Sequence, residues 1–265
     1  MNFDTIMVTE PSDGVLAVTL NRPQALNSFT DQMCREFAQL WEMVRLDTAV
    51  RAIVLRAAGD RAFSTGVDVR ERLGTETAFG DPERPWDELS DSGRWLSPKR
   101  NEVWKPVIAA VHGMCAGGAA YWIAECDIVI CEPDATFFDP HVTYGMVAAL
   151  EPILLSYRML PSDALRMALL GGHERIGAER ALATGLVTEI VARDHLWDRA
   201  DELARVIASQ PAIALQGTLK AFWQSLNAGR DQALQTALMF TQIGNPLATA
   251  GMDRDAAKPA APWIR

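Results

Sequence analysis

Hydrophobic positions along the chain switch between two periods. Val15-Leu16-Ala17-Val18-Thr19-Leu20 is a nearly unbroken apolar run ending at Asn21-Arg22-Pro23. Proline cannot continue a ladder, so the run predicts a buried strand that stops there. From about Asp31 the period lengthens, with Met33, Phe37, Leu40, Trp41 and Val44 recurring at three- and four-residue spacing. That predicts an amphipathic helix capped by Thr30 or Asp31. Ala52-Ile53-Val54-Leu55 reads as a second strand. Two more, Val107 to Val111 and Asp127 to Cys131, flank a helix that starts near Gly117. Strands alternating with helices predict parallel pairing and an α/β class.

Between Gly74 and Gly93 the pattern gives way to glycine, proline and acidic residues. This stretch reads as a loop, with a short helix around Trp86 to Leu89 and with Trp86 and Trp95 in reach of a ligand. From about Pro152 the pattern is mostly helical apart from a short strand near Val187 to Val191. It ends in two amphipathic segments, Asp194 to Ser209 and Pro211 to Asn227. The expected division is a core over residues 1–193 and a helical C-terminal region over residues 194–265.

Composition narrows the class. With 265 residues, 49% of them hydrophobic and 22% charged, the chain is ordinary for a soluble globular protein. A net charge of -9 argues against non-specific nucleic-acid binding. No apolar run approaches the ~18–20 residues of a membrane span, and Met1-Asn2-Phe3-Asp4 lacks the basic start of a secretory signal. Cys34, Cys115, Cys126 and Cys131 sit inside apolar patterns, as free thiols of a reducing cytoplasm do. No second His/Cys pair at ligand spacing accompanies Cys126 and Cys131, so no metal site is expected.

Two stretches carry chemistry. Ala62-Phe63-Ser64-Thr65-Gly66-Val67-Asp68 and Val111-His112-Gly113-Met114-Cys115-Ala116-Gly117-Gly118 each follow a strand-like run and open a helix-like one. The pairing suggests two backbone N–H donors aimed at one oxygen. The order of segments around them resembles the crotonase superfamily, the enoyl-CoA hydratase/isomerase family. The pieces that match are Leu20-Asn21-Arg22-Pro23 with Ala25-Leu26-Asn27, the stretch 62–68, Lys105-Pro106 with the strand and His112-Gly113 after it, Gly117-Gly118, Cys126-Asp127-Ile128, and Gly177-Ala178-Glu179-Arg180-Ala181 with Gly185-Leu186-Val187.

The resemblance implies a spiral of ββα units with a helical C-terminal region that takes part in oligomerisation, assembled as a homotrimer or a dimer of trimers. It implies an acyl-CoA thioester substrate and no cofactor besides the coenzyme A that the substrate carries. The thioester oxygen would meet the N–H groups of Val67 and Gly118. The CoA moiety would lie along Ala25, Leu26 and the backbone from Phe63 through Ser64 to Gly66, with Arg22 and Lys258 near its phosphates. Gln24 stands where many relatives have a lysine.

The departures bear on the reaction. A syn hydratase needs one carboxylate to activate water and another carboxyl to protonate the α-carbon. At those two family positions this chain has Tyr121 and His141. A phenol is a poor base at neutral pH, whereas an imidazole serves as base or acid. A histidine after proline is also an ordinary structural residue, and Tyr121 equally fits a pocket-lining role. Asp139 precedes His141 by two residues and can face the same side. Glu125 follows Tyr121 by one helical turn, and Glu151, in Leu150-Glu151-Pro152, is a further candidate. Asp68, beside a donor, reads as structural, and Tyr144 as a wall of the pocket. Ala148 stands where the naphthoate-synthase-like and dehalogenase-like branches have aspartate, which disfavours those reactions. The expectation is therefore a hydratase/isomerase-like enzyme that stabilises a thioester enolate. The alternatives are a thioester hydrolase or decarboxylase using His141 and Tyr121, and a non-catalytic acyl-CoA-binding oligomer.

Overall fold

A computed structural model describes residues 3–72, 91–250, 252–253 and 262–264. The loop reading over 74–90, with its short helix, and Lys258 lie outside the described residues. A six-stranded sheet runs in the order β1 (Ile6–Ser12), β2 (Val15–Leu20), β3 (Ala52–Ala57), β5 (Val107–Val111), β7 (Ile128–Cys131), β10 (Glu189–Ile190). Its strands from β2 to β10 are parallel, with Val18 beside Leu55, Leu55 beside Ala109, and Ala109 beside Val129. β1 returns antiparallel to β2 through Asp13-Gly14. The apolar pattern does not announce β1, because this edge strand exposes Met7, Thr9 and Glu10 and contains Pro11.

A second sheet orders β4 (Ala62–Ser64), β6 (Met114–Ala116), β8 (Thr136–Phe138) and β9 (Ile176–Gly177). The chain alternates between the sheets: β3 then β4, β5 then β6, β7 then β8. The helices of unit 1 are α1 (Asp31–Leu46), α2 (Val69–Arg72), α3 (Ser92–Leu96), α4 (Ala120–Ile123), α5 (Leu150–Ser156), α6 (Pro161–Leu170), α7 (Ala178–Thr184) and α8 (Leu196–Ala208). This is the expected α/β spiral of ββα units.

Both faces of the parallel sheet are buried, which is why its strands read as unbroken apolar runs. Leu16, Val18 and Leu20 face a core shared with Met33, Phe37, Leu40 and Trp41 of α1. Val15, Ala17, Val54 and Ile108 face the other way, against Leu196, Ala200 and Ala204 of α8. The small alanines let α8 approach the sheet closely. That packing moves the division of the chain away from 193/194, since α8 belongs with the sheet it seals. The compact units are Met1–Ser209 and Gln210–Arg265.

The second unit holds α9 (Ala212–Ser225) and α10 (Arg230–Thr249), which pack on each other. The sequence pattern points to α9 but not to α10. Gly244-Asn245-Pro246 reads as a stop, yet the helix passes through Pro246. Neither helix buries a residue. Among the described residues no helix is long and apolar enough to cross a membrane.

Candidate active site

The site lies where the parallel strands β4, β6 and β8 end. Ser64 stands beside Cys115 and Cys115 beside Phe137, so the segments that follow, 65–68, 117–118 and 139–141, leave the sheet together. Gly66 has φ +81°, and a Cβ there would lie 2.7 Å from the Gly118 nitrogen. Only a residue without a side chain lets the two backbones meet. Phe29 fixes the first segment: its N–H donates to Gly66 O at 2.8 Å and its carbonyl accepts from Asp68 N at 2.8 Å. Both bonds fall on the neighbours of Val67, which leaves the Val67 N–H outside that ladder. Gly118 is held as closely, since a Cβ there would sit 2.7 Å from the Phe29 ring and 3.2 Å from the Tyr121 ring. It lies in a 3-10 turn, Gly117–Ala119, and the α-helix expected from Gly117 begins only at Ala120. Trp122 anchors that helix, with Phe29, Phe37 and Phe63 rings 5.3–6.4 Å from its own.

Over this backbone stands a polar cluster. Past β8 the chain turns at Asp139-Pro140, and the Asp139 carboxylate accepts from the His141 N–H at 3.1 Å and meets His141 Nδ1 at 2.5 Å. The ring reaches over Gly117, where a Cβ would lie 3.6 Å from His141 Cε1. From the other side α5 brings Glu151 in its first turn, with Oε1 3.9 Å from His141 Nε2. Proline at 152 costs the helix nothing there, because first-turn N–H groups have no intrahelical acceptor. Asp139 and Glu151 are both buried. Behind them, Ile123, Phe137, Leu155, Met167 and Leu186 line a cavity of about 10 Å³, room for one water at most.

The hydrogen bond that Asp139 accepts raises the His141 pKa above its ordinary value against the effect of burial, and the charges of Asp139 and Glu151 add to it. Burial, then the charge of Glu151 and a hydrogen bond with it, push the Tyr121 phenol far upward. A phenol so placed stays protonated and is not a base. The Asp139, His141 and Glu151 donor atoms lie within 4.8 Å of one another, close enough for a cation. Nδ1 and the Asp139 oxygen already face each other, however, so Asp139 and His141 form a hydrogen-bonded pair with Glu151 beyond it.

Other residues sort differently. Glu125 accepts the N–H groups of Lys99 and Arg100 at 2.8 and 3.1 Å and so caps a turn away from the site. The Arg22 guanidinium is held by Asp68 at 2.9 Å and by the Ser28 carbonyl at 2.6 Å. Burial opposes ionisation of Asp68, but Arg22 outweighs it and holds the carboxyl below its usual range. Ala25 and Leu26 are brought against 63–66, with Thr65 N donating to Leu26 O at 3.2 Å and Ser64 Oγ accepting from Gly66 N at 3.2 Å. Asn27 braces that turn through bonds to the Ala58 and Ala62 carbonyls. Tyr144 is 74% exposed, and His112 is fully buried. Burial pushes the Cys126 and Cys131 thiols up to about 12, where they are inert. No motif or spacing singles out Phe29 or Gly93. Gly93 matters because any Cβ there would lie 2.9 Å from the Tyr121 ring.

The family model described as enoyl-CoA hydratase/isomerase matches residues 10–254. The (E)-benzylidenesuccinyl-CoA hydratase of Thauera aromatica is 31% identical over 241 residues, covering 88% of this chain and 87% of that protein. The 1,2-epoxyphenylacetyl-CoA isomerase of Escherichia coli is 34% identical over 230 residues, 85% of this chain and 83% of the other. Among solved structures, an enoyl-CoA hydratase/isomerase from Mycobacterium paratuberculosis superposes with TM-score 0.77 at 37% identity, covering 97% of this chain and 93% of that one. An enoyl-CoA hydratase from Mycobacterium smegmatis gives 0.80 at 25% identity, with 96% and 93% covered. The chain belongs to the enoyl-CoA hydratase/isomerase family. It is an acyl-CoA thioester-processing enzyme of that hydratase/isomerase class.

Proposed function

We propose that the enzyme adds water across the double bond of an enoyl-CoA thioester, with His141 and Glu151 in place of the family's two glutamates. One observation carries this reading: His141 Nε2 and Glu151 Oε1 stand 3.9 Å apart beside the Gly117-Gly118 backbone. That gap is too wide for a direct hydrogen bond and suits one water held by both groups. The thioester oxygen binds the N–H groups of Val67 and Gly118, which stabilise the enolate formed when hydroxide adds at the β-carbon. One member of the pair takes a proton from the water and the other gives one to the α-carbon. The reaction needs no cofactor beyond the CoA of the substrate. That moiety lies along Ala25, Leu26, Phe63, Ser64 and Gly66, while Arg22 and Lys258 serve its phosphate end.

Hydrolysis or decarboxylation assisted by a Tyr121 base loses support from the raised pKa of that phenol. The cluster of Asp139, His141 and Glu151 likewise speaks against a purely binding role. We assign the protein to the cytoplasm, in keeping with four free, buried cysteines. We also assign it a homotrimer or a dimer of trimers, built with the apolar side chains that α9 and α10 leave exposed.

The test is incubation of an enoyl-CoA panel in ¹⁸O-labelled water and in deuterated water with wild type, His141→Ala and Glu151→Gln. Hydration gives a hydroxyacyl product carrying one ¹⁸O, or one α-deuterium, and each variant loses about 10²–10⁴-fold in kcat. Deuterium in a product without ¹⁸O means isomerisation by the same groups. Hydration that survives both substitutions overturns this reading of the site.

A further inference from the structure

We infer that Asp139 is a positioning residue that holds His141 as an imidazolium with its Nε2–H toward Glu151. His141 is then the acid of the pair and Glu151 the base. The assignment rests on the hydration reading and fixes which group performs which half of it.

Three observations carry it. Asp139 Oδ1 is 2.5 Å from Nδ1 and also accepts the His141 N–H at 3.1 Å, so the ring is fixed in rotation and Nδ1 must carry a proton. Asp139 is 3% exposed and its Oδ2 is buried, with no hydrogen-bond donor among the described residues. A carboxylate so placed needs a neighbouring cation to balance it. The groups that face the ring are Asp139 from its own segment and Glu151 from α5, both carboxylates. The phenol of Tyr121, from α4, stands near both carboxylates and stays protonated. An imidazole between two carboxylates takes the second proton.

The step then balances. Glu151 removes a proton from the water held in the gap, and the hydroxide forms a bond to the β-carbon. The π electrons move through the α-carbon to the thioester oxygen. His141 Nε2–H delivers its proton to the α-carbon as the carbonyl reforms. The proton on Glu151 returns to His141 through the next water, which restores both groups.

The experiment is ¹⁵N NMR of the imidazole rings in the full-length protein, with His141 assigned through His141→Gln, together with the pH profile of kcat. At pH 7 both ring nitrogens of His141 in wild type carry protons. In Asp139→Asn the ring titrates at lower pH, and the alkaline limb of kcat moves down with it while KM holds. A wild-type ring that is neutral at pH 7, a reading that needs no variant to fold, overturns the inference. So does an Asp139→Asn alkaline limb that stays in place. If no enoyl-CoA is hydrated, the acid assignment falls with the hydration reading, and the NMR result alone decides whether Asp139 holds the imidazolium.

Discussion

At the scale of single residues, the close approach of Gly66 to Gly118 leaves no room for a side chain. Gly66→Ala combines φ +81° with a Cβ 2.7 Å from a backbone nitrogen. Urea unfolding should record a loss of about 1–3 kcal/mol. If the Gly118 N–H binds the thioester oxygen as we propose, the same shift should lower kcat/KM about 10²–10³-fold. Stability lost with kcat/KM intact would separate the loop from the chemistry. His112 makes a second prediction. Burial, followed by the charge of Arg193, pulls its pKa from 6.5 to about 4. Above pH 6.5 folded and unfolded chains both hold it neutral. Below that the unfolded chain alone binds the proton, so stability falls with pH down to about 4, by about 3 kcal/mol in all. Urea unfolding across this window should show that component of the slope in wild type and not in His112→Gln. Of the candidate site, the segments that carry Val67, Gly118, Tyr121, His141 and Glu151 were recognisable in the sequence. What spacing could not decide was direction. Glu125 shares a helical face with Tyr121 on paper, yet its carboxylate turns to the Lys99 and Arg100 N–H groups.

At the scale of elements, legibility followed burial. β2, β3, β5 and β7 and the helix α1 carry strong patterns because one or both of their faces meet the core. The strands that aim the site, β4, β6 and β8, are three residues each, too short for any period to register. Their position is a consequence of pairing with each other, which no single segment encodes. α1 offers the cleanest local test. Thr30 Oγ1 accepts from Met33 N at 3.2 Å, as an N-cap should. Thr30→Ala should cost about 1 kcal/mol in urea unfolding and Thr30→Ser very little. Equal losses from the two would mean that packing of the threonine methyl, not the cap, holds the helix start.

At the scale of the whole molecule, the second unit does not bury its apolar side chains within itself. α9 and α10 bury no residue, although α10 carries Met239, Ile243 and Leu247 at four-residue spacing, 56–66% exposed. Side chains at that spacing share one helical face, and each gains about 1.5–3 kcal/mol when fully buried. A stripe of three is therefore worth more than most single domains can leave unused in water. In the assembly we propose, a homotrimer or a dimer of trimers, neighbouring copies would cover that stripe. No pattern in one chain specifies such an arrangement. The prediction is that Ile243→Lys combined with Leu247→Lys lowers the sedimenting mass of the protein to that of smaller species. Each buried lysine would bring an uncompensated charge into an apolar contact. If the doubly substituted protein sediments as wild type does, the stripe lies outside the subunit contact and the assembly must be built from the first unit.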